Sequence, residues 1–273
     1  MTGTDATTPA PAPGAPPRAD CLADTTGGLT FTLEAAAVDA AEPVLVLRRR
    51  GGTAPSDETR LPLTAVGEGR VRATLPAAHE LAEGRWDVSV GGRAVEPGIR
   101  DLRALVDRVP AEEGSVTARV PYPTADGRLA VRGWVRAPHA EAGDLTFGAG
   151  TCTVEGTLYG AHLGGGAVAE ARLGGTVHRV PATGDKGAFA FTLAYDTLAH
   201  DDRTQPRPGE GQRLWQLWLR PGTDAEPVRV SRVLDDIWDR RNIHVYPAHR
   251  GDGYTATPCY TTDNDLCVRV TGP

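Results

Sequence analysis

Two tryptophans stand among arginines on segments that read as strands. In VRGWVRAP (131–138), Arg132, Trp134 and Arg136 alternate with Val131, Gly133 and Val135. In RLWQLWLR (213–220), Trp218 shares a period-2 face with Gln216 and Arg220. An indole face can stack on a sugar ring, and a guanidinium fork can hold an anionic group. Trp134, Trp218, Arg132 and Arg136 are therefore the candidate ligand contacts, with an interdomain seam as the alternative use of such tryptophans. A second cluster is Asp235, Asp236, Asp239 and His244, in DDIWDRRNIH. It holds the residue types of an acid–base pair and is the alternative site, that of a transferase or hydrolase.

Other motifs fit bland uses better. His244 and His249 lie five positions apart, on opposite sides of a strand, with no third metal ligand nearby. Asp263-Asn264-Asp265 has the oxygens a calcium ion uses, but the rest of a calcium loop is missing and Asn and Asp are good turn residues. GAHLGGGA (160–167) lacks the strand–helix setting and the lysine of a phosphate cradle, so it reads as a flexible hairpin. The four cysteines form no CxxC pair and are expected as free thiols; Cys259 and Cys267 flank a predicted hairpin turn and face each other across it. No metal and no cofactor is expected.

The elements that must position these residues are short strands. LTFTL, VLVLRRR, VRATL, RWDVSV and LAVRGWV alternate or run apolar between Gly, Pro and Asp, as do TCTVEGTL, AFAFTL and LWQLWL. The segments also repeat. Ile99–Asp107 aligns with Val228–Asp236 at an offset of 129 that also pairs Trp86 with Trp215. Val71–Leu75 aligns with Phe189–Leu193, and 122–132 with 260–269. An insertion at 199–211 accounts for the change of offset. The pattern predicts an all-β chain of two tandem antiparallel immunoglobulin-like sandwiches related by duplication, at 21–137 and 142–273. Alternation puts Trp86, Val88 and Val90 in one core, and Trp215, Leu217 and Leu219 in the other. Tyr122 and Tyr260 recur in register and read as structural. Short helices are expected at 76–84 and 194–200, and DLRALVDR is open between helix and strand.

Composition sets the outer limits. Of 29 basic residues only Lys186 is a lysine, and the net charge is -6. A mildly acidic chain is a poor match for nucleic acid or anionic membrane. No apolar run reaches the length of a membrane span, so no membrane insertion is expected. The Pro-, Ala- and Thr-rich stretch 1–20 reads as a disordered tail without a secretion signal, which points to the cytoplasm.

The pattern of a Trp-led strand, a turn, an Arg-containing segment and a Tyr-led hairpin resembles accessory β-sandwich modules. These accompany actinobacterial glycosyltransferases and teichoic-acid-type glycerophosphotransferases. The residues carrying the likeness are Gly84–Val88 and Pro121–Thr124 through Leu129–Val131, then Trp215–Leu217 and Tyr260–Thr262 through Leu266–Val268. The resemblance implies a cytoplasmic role in cell-envelope glycan or polyol-phosphate polymer assembly. The partner would be a glycan, a glycan precursor or a glycosyltransferase-type protein. It implies no catalysis, because the nucleotide-binding α/β domain of those transferases has no counterpart in these residues. A structural scaffold or homo-oligomer without a small-molecule ligand is the other non-enzymatic reading.

Overall fold

The computed structural model describes residues 16–39, 41–106, 108–110, 114–201 and 211–272. Most of the expected tail, 1–15, and most of the second-copy insertion, 202–210, lie outside these residues. Residues 18–20 do not belong to a tail: they open the first strand. The chain divides into two compact units. The first holds the described residues up to Val106 with Arg119–Gly133; the second holds those from Arg108 to Ala118 and from Trp134 onward.

The first unit contains β1 (Arg18–Ala23), β2 (Leu29–Glu34), β3 (Val44–Arg49), β4 (Glu58–Pro62), β5 (Thr64–Gly67), β6 (Arg70–Leu75), β7 (Gly84–Val90), β8 (Arg93–Ala94) and β9 (Glu96–Asp101). β10 (Val116–Pro123) and β11 (Leu129–Arg136), through their Arg119–Pro123 and Leu129–Gly133 portions, complete its second sheet. One layer runs β5-β6-β2-β1-β9; the other runs β10-β11-β7-β3-β4, with β8 beside β7. Strand alternation dictates what each layer buries. Leu29, Phe31 and Leu33 point inward from β2, Leu45 and Leu47 from β3, and Trp86, Val88 and Val90 from β7. The Trp86 indole N–H donates to Ala82 O at 3.0 Å, so its one polar atom is satisfied inside.

The second unit contains β12 (His139–Gly148), β13 (Thr151–Tyr159), β14 (Val168–Leu173), β15 (Thr176–Pro181), β16 (Ala188–Ala194), α1 (Tyr195–Ala199), β17 (Arg213–Arg220), β18 (Val228–Ser231), β19 (His249–Gly251), β20 (Tyr254–Tyr260) and β21 (Leu266–Thr271). One layer runs β16-β13-β12-β18, the other β15-β14-β17-β21-β20-β19. β18 joins them, pairing parallel with β12 and antiparallel with β17. Val154, Phe189, Phe191, Trp215, Leu217 and Val268 form the centre of this core.

The strand order of the two units is the same. β6-β2-β1-β9 matches β16-β13-β12-β18, and β4-β3-β7-β11-β10 matches β15-β14-β17-β21-β20. The first strand pairs parallel with the equivalent partner in each, β1 with β9 and β12 with β18. The chain is thus all-β, with two immunoglobulin-like sandwiches. α1 forms where the second helix is expected, and Arg103–Leu105 is a 3₁₀ turn. The helix expected at 76–84 does not form. Its carbonyls at Pro76, His79 and Ala82 accept side-chain hydrogens from Arg119 and Trp86 instead. An isolated helix of that length has little stability of its own to set against such bonds.

Candidate functional site

The outward face of β14, β15, β17 and β18 carries an organised set of charges. Because β14 and β17 pair with Glu170 opposite Trp218, and β17 and β18 pair with Trp218 opposite Arg229, three non-local residues line up across the sheet. β15 adds Arg179 opposite Glu170. The Glu170 side chain is fully buried, and its carboxylate accepts from Arg172 Nε at 2.8 Å and also from Arg172 Nη2, from Arg179 Nε at 3.1 Å and from Arg220 Nε at 3.0 Å. Burial pulls its pKa upward, but the hydrogen bonds from Arg172, Arg220 and Arg179 outweigh that and leave it below the usual value.

Trp218 lies between two of these cations. The Arg172 guanidinium carbon is 4.7 Å from the indole centroid and that of Arg229 is 4.6 Å, each reaching in from a strand on a different side of β17. Arg229 continues the chain of contacts to buried Asp265 at 2.7 Å, which also accepts from Ser231 Oγ at 2.8 Å and pairs with Arg136 at 3.8 Å. In these contacts five guanidiniums, those of Arg136, Arg172, Arg179, Arg220 and Arg229, meet the carboxylates of Glu170 and Asp265. The Trp218 Nε1–H and Arg229 Nε–H are buried with no acceptor among the described residues.

The sequence-stated contacts separate on this geometry. Arg136 and Trp218 belong to the network. Trp218 is half-buried and offers no open stacking face, because guanidiniums flank it. Trp134 is 1% exposed and its indole N–H donates to Asp263 O at 3.1 Å, so it is a core residue and not a platform. Arg132 is buried in the first unit. Strand alternation misplaced these two because β11 is buried on both faces from Leu129 to Trp134.

The acidic alternative is occupied by its own arginines. Asp235 is ion-paired with the buried Arg240 and accepts from Ile237 N at 2.8 Å. Asp239 pairs with Arg241 at 2.6 Å. Asp236 is half-buried. His244 Nε2 lies 2.8 Å from Arg240 Nη1; arginine can only donate, so the imidazole accepts there and is neutral. Burial lowers its pKa, and the Arg240 and Arg232 charges lower it further. Asp235 and His244 therefore meet through a cation, which removes the hydrogen bond an acid–base pair needs. His249 stacks on Tyr195 at 5.5 Å, apart from the ring contacts of His244 with Tyr246 and Tyr260. Asn264 is left-handed (φ 60°), and its buried side chain binds Arg240 N and Ile237 O, the turn role its type suggests.

No sequence motif marks Glu170, Arg172, Arg179 and Asp265 as a site. The signal lay in the Glu-x-Arg alternation of β14 and in the pairing register, which brings together residues far apart in the chain.

No protein-family model matches the chain, and no curated protein matches it. Among solved structures it is similar to the 217–571 fragment of S. aureus TarS, at 14% identity over 66% of this chain and 56% of that one, with a TM-score of 0.29. It is similar to a longer S. aureus TarS chain at 13% identity over 78% of this chain and 39% of that one, TM-score 0.27. It is also similar to pullulanase type I from Bacillus subtilis, solved with maltose, at 10% identity over 79% of this chain and 25% of that one, TM-score 0.26. The chain spans little more than half of the shorter TarS chain and less of the other two. Among the described residues no helix is long and apolar enough to cross a membrane.

Proposed function

We propose that this chain is a non-catalytic tandem β-sandwich that binds a phosphate-bearing glycan or polyol-phosphate polymer. On this reading it serves envelope-polymer assembly in the cytoplasm beside a glycosyltransferase-type partner. The observation that carries the binding reading is the cluster of arginines around Trp218 and Glu170. Each guanidinium has five N–H donors, and two carboxylates cannot use them all. Arg179 is the most open, with 57% of its side chain exposed. Phosphate oxygens are the natural acceptors for such a fork. The resemblance of the Trp-led strands and Tyr-led hairpins to accessory modules supplies the polymer class. The acidic cluster does not favour an enzymatic reading, since Asp235 and His244 are bound to Arg240 and Asp239 to Arg241.

The test is titration of the full chain with a polyol-phosphate polymer and with a neutral glucan, followed by calorimetry and tryptophan emission at two salt concentrations. The phosphate polymer should bind, and more weakly as salt rises. Arg172→Ala and Arg229→Ala should each weaken binding at least fivefold. Both keep the fold, because Glu170 retains Arg179 and Arg220, and Asp265 retains Ser231 and Arg136. Equal binding of the neutral glucan, or variants indistinguishable from wild type, would sink the proposal.

A further inference from the structure

A second place in the same unit has the build of a small-molecule site. At the end of β13 a cavity of about 650 Å³ opens between that strand, the 160–162 turn and the turn that carries Lys186. Pockets for small ligands span roughly 300–1,000 Å³ and combine an apolar lining with a few placed polar groups. Here Leu158 and Val109 supply apolar surface, and Tyr159, His162 and Lys186 are the polar groups. Lys186 supplies a positive charge among the described lining residues.

Lys186 carries the argument. It is the only lysine in the sequence. It is also one of three described non-glycine residues with positive φ, at 51°. Left-handed backbone costs a residue with a Cβ about 1 kcal/mol and favours Gly or Asn there. Fold stability alone would therefore choose glycine at this position. The turn is fixed: Ala188 N donates to Asp185 O at 3.0 Å, and Leu158 N donates to Gly187 O at 2.7 Å. Gly187 is left-handed as well, at φ 85°. Successive backbone N–H groups in such turns form concavities suited to anions. Tyr159 is held flat by stacking on buried His139, with centroids 6.4 Å apart and planes 12° apart. Burial, with the nearby Glu141 charge, pushes its phenol pKa up, so it remains an O–H donor at neutral pH.

We infer that this cavity binds a phosphorylated ring of sugar size, with the ring against Tyr159 and Leu158 and the phosphate between Lys186 and His162. A lysine supplies the point charge a phosphate takes, and the cavity exceeds what a lone phosphate fills. The site is separate from the arginine face and does not depend on the polymer-binding reading.

The test is calorimetry on the full chain with glucose 6-phosphate, glucose 1-phosphate and ribose 5-phosphate, against inorganic phosphate, glucose and glucuronate. At least one sugar phosphate should bind ten times more tightly than phosphate, glucose or glucuronate. Lys186→Gly should weaken it at least tenfold while the thermal midpoint stays level or rises, because the left-handed strain is relieved. Arg172→Ala should leave it unchanged. Absence of sugar-phosphate binding, tighter binding of glucuronate, or indifference to Lys186→Gly would each overturn the inference. Loss of binding in Arg172→Ala would do the same by moving the ligand to the arginine face.

Discussion

Glu170→Gln tests the arginine network most directly. The substitution keeps shape and one acceptor but removes the charge that four N–H groups of Arg172, Arg179 and Arg220 share. A hydrogen bond to a charged group contributes about 1 kcal/mol more than a neutral one. Four such bonds give about 4 kcal/mol, within the range of about 3–5 kcal/mol for breaking a buried ion pair. The partners are 27%, 57% and 25% exposed, so solvent screening trims this to about 3 kcal/mol. The assay is urea unfolding of the full chain, followed by circular dichroism and tryptophan emission. pH supplies the control. Glu170 titrates below its ordinary value in the folded protein, so its contribution is complete above the unfolded carboxylate pKa, near ~4.3. It fades as pH falls through the lower folded value. The gap between wild type and variant should be near 3 kcal/mol at pH 7 and should close in acid. A gap below about 1 kcal/mol at pH 7, or one that persists unchanged at acid pH, would refute the reasoning.

Three further outcomes follow from buried groups. Trp86→Ala and Trp215→Ala each empty a fully buried site and should destabilise by about 3–5 kcal/mol in the same unfolding assay, with no ligand present. All four cysteines are buried, and burial pushes the Cys21 thiol up to about 12 and the Cys152 thiol up to about 11. A thiol reagent at pH 8 should therefore find no fast-reacting cysteine in the native chain and four after denaturation; rapid native labelling would contradict the packing. His244 is held neutral, with its folded pKa below the unfolded value. Its contribution is present above about pH 6.5 and is lost as pH falls. Imidazole resonances followed by NMR should show His244 protonating below the ordinary histidine range, and Arg240→Met should raise that midpoint.

The fold was legible because alternation reports burial wherever one face of a strand is wet. β7 and β17 obey it, with Trp86 and Trp215 inside and Asp87 and Gln216 outside. The aligned segments Trp86 and Trp215, and Val71–Leu75 and Phe189–Leu193, lie on strands at matching places in the two strand orders. Cys259 and Cys267 do face each other across β20 and β21, as the turn between them implied. Alternation fails where a strand is covered twice, and Trp134, outward by period, is buried on such a strand.

The candidate site was harder to read for a different reason. Carboxylates that are neighbours in sequence, Asp235 and Asp239, sit beside arginines that are also neighbours in sequence, and they neutralise locally. The arginine cluster needs residues from strands whose order only the fold supplies. Glu170 meets Arg220 across 50 positions, and Arg229 meets Asp265 across 36. Trp218 was recognisable as a tryptophan off the core, but its neighbours were not, so the indole read as a sugar platform. With both neighbours in place its chemistry reverses. A π face that would stack on a sugar instead lies between two guanidiniums, those of Arg172 and Arg229.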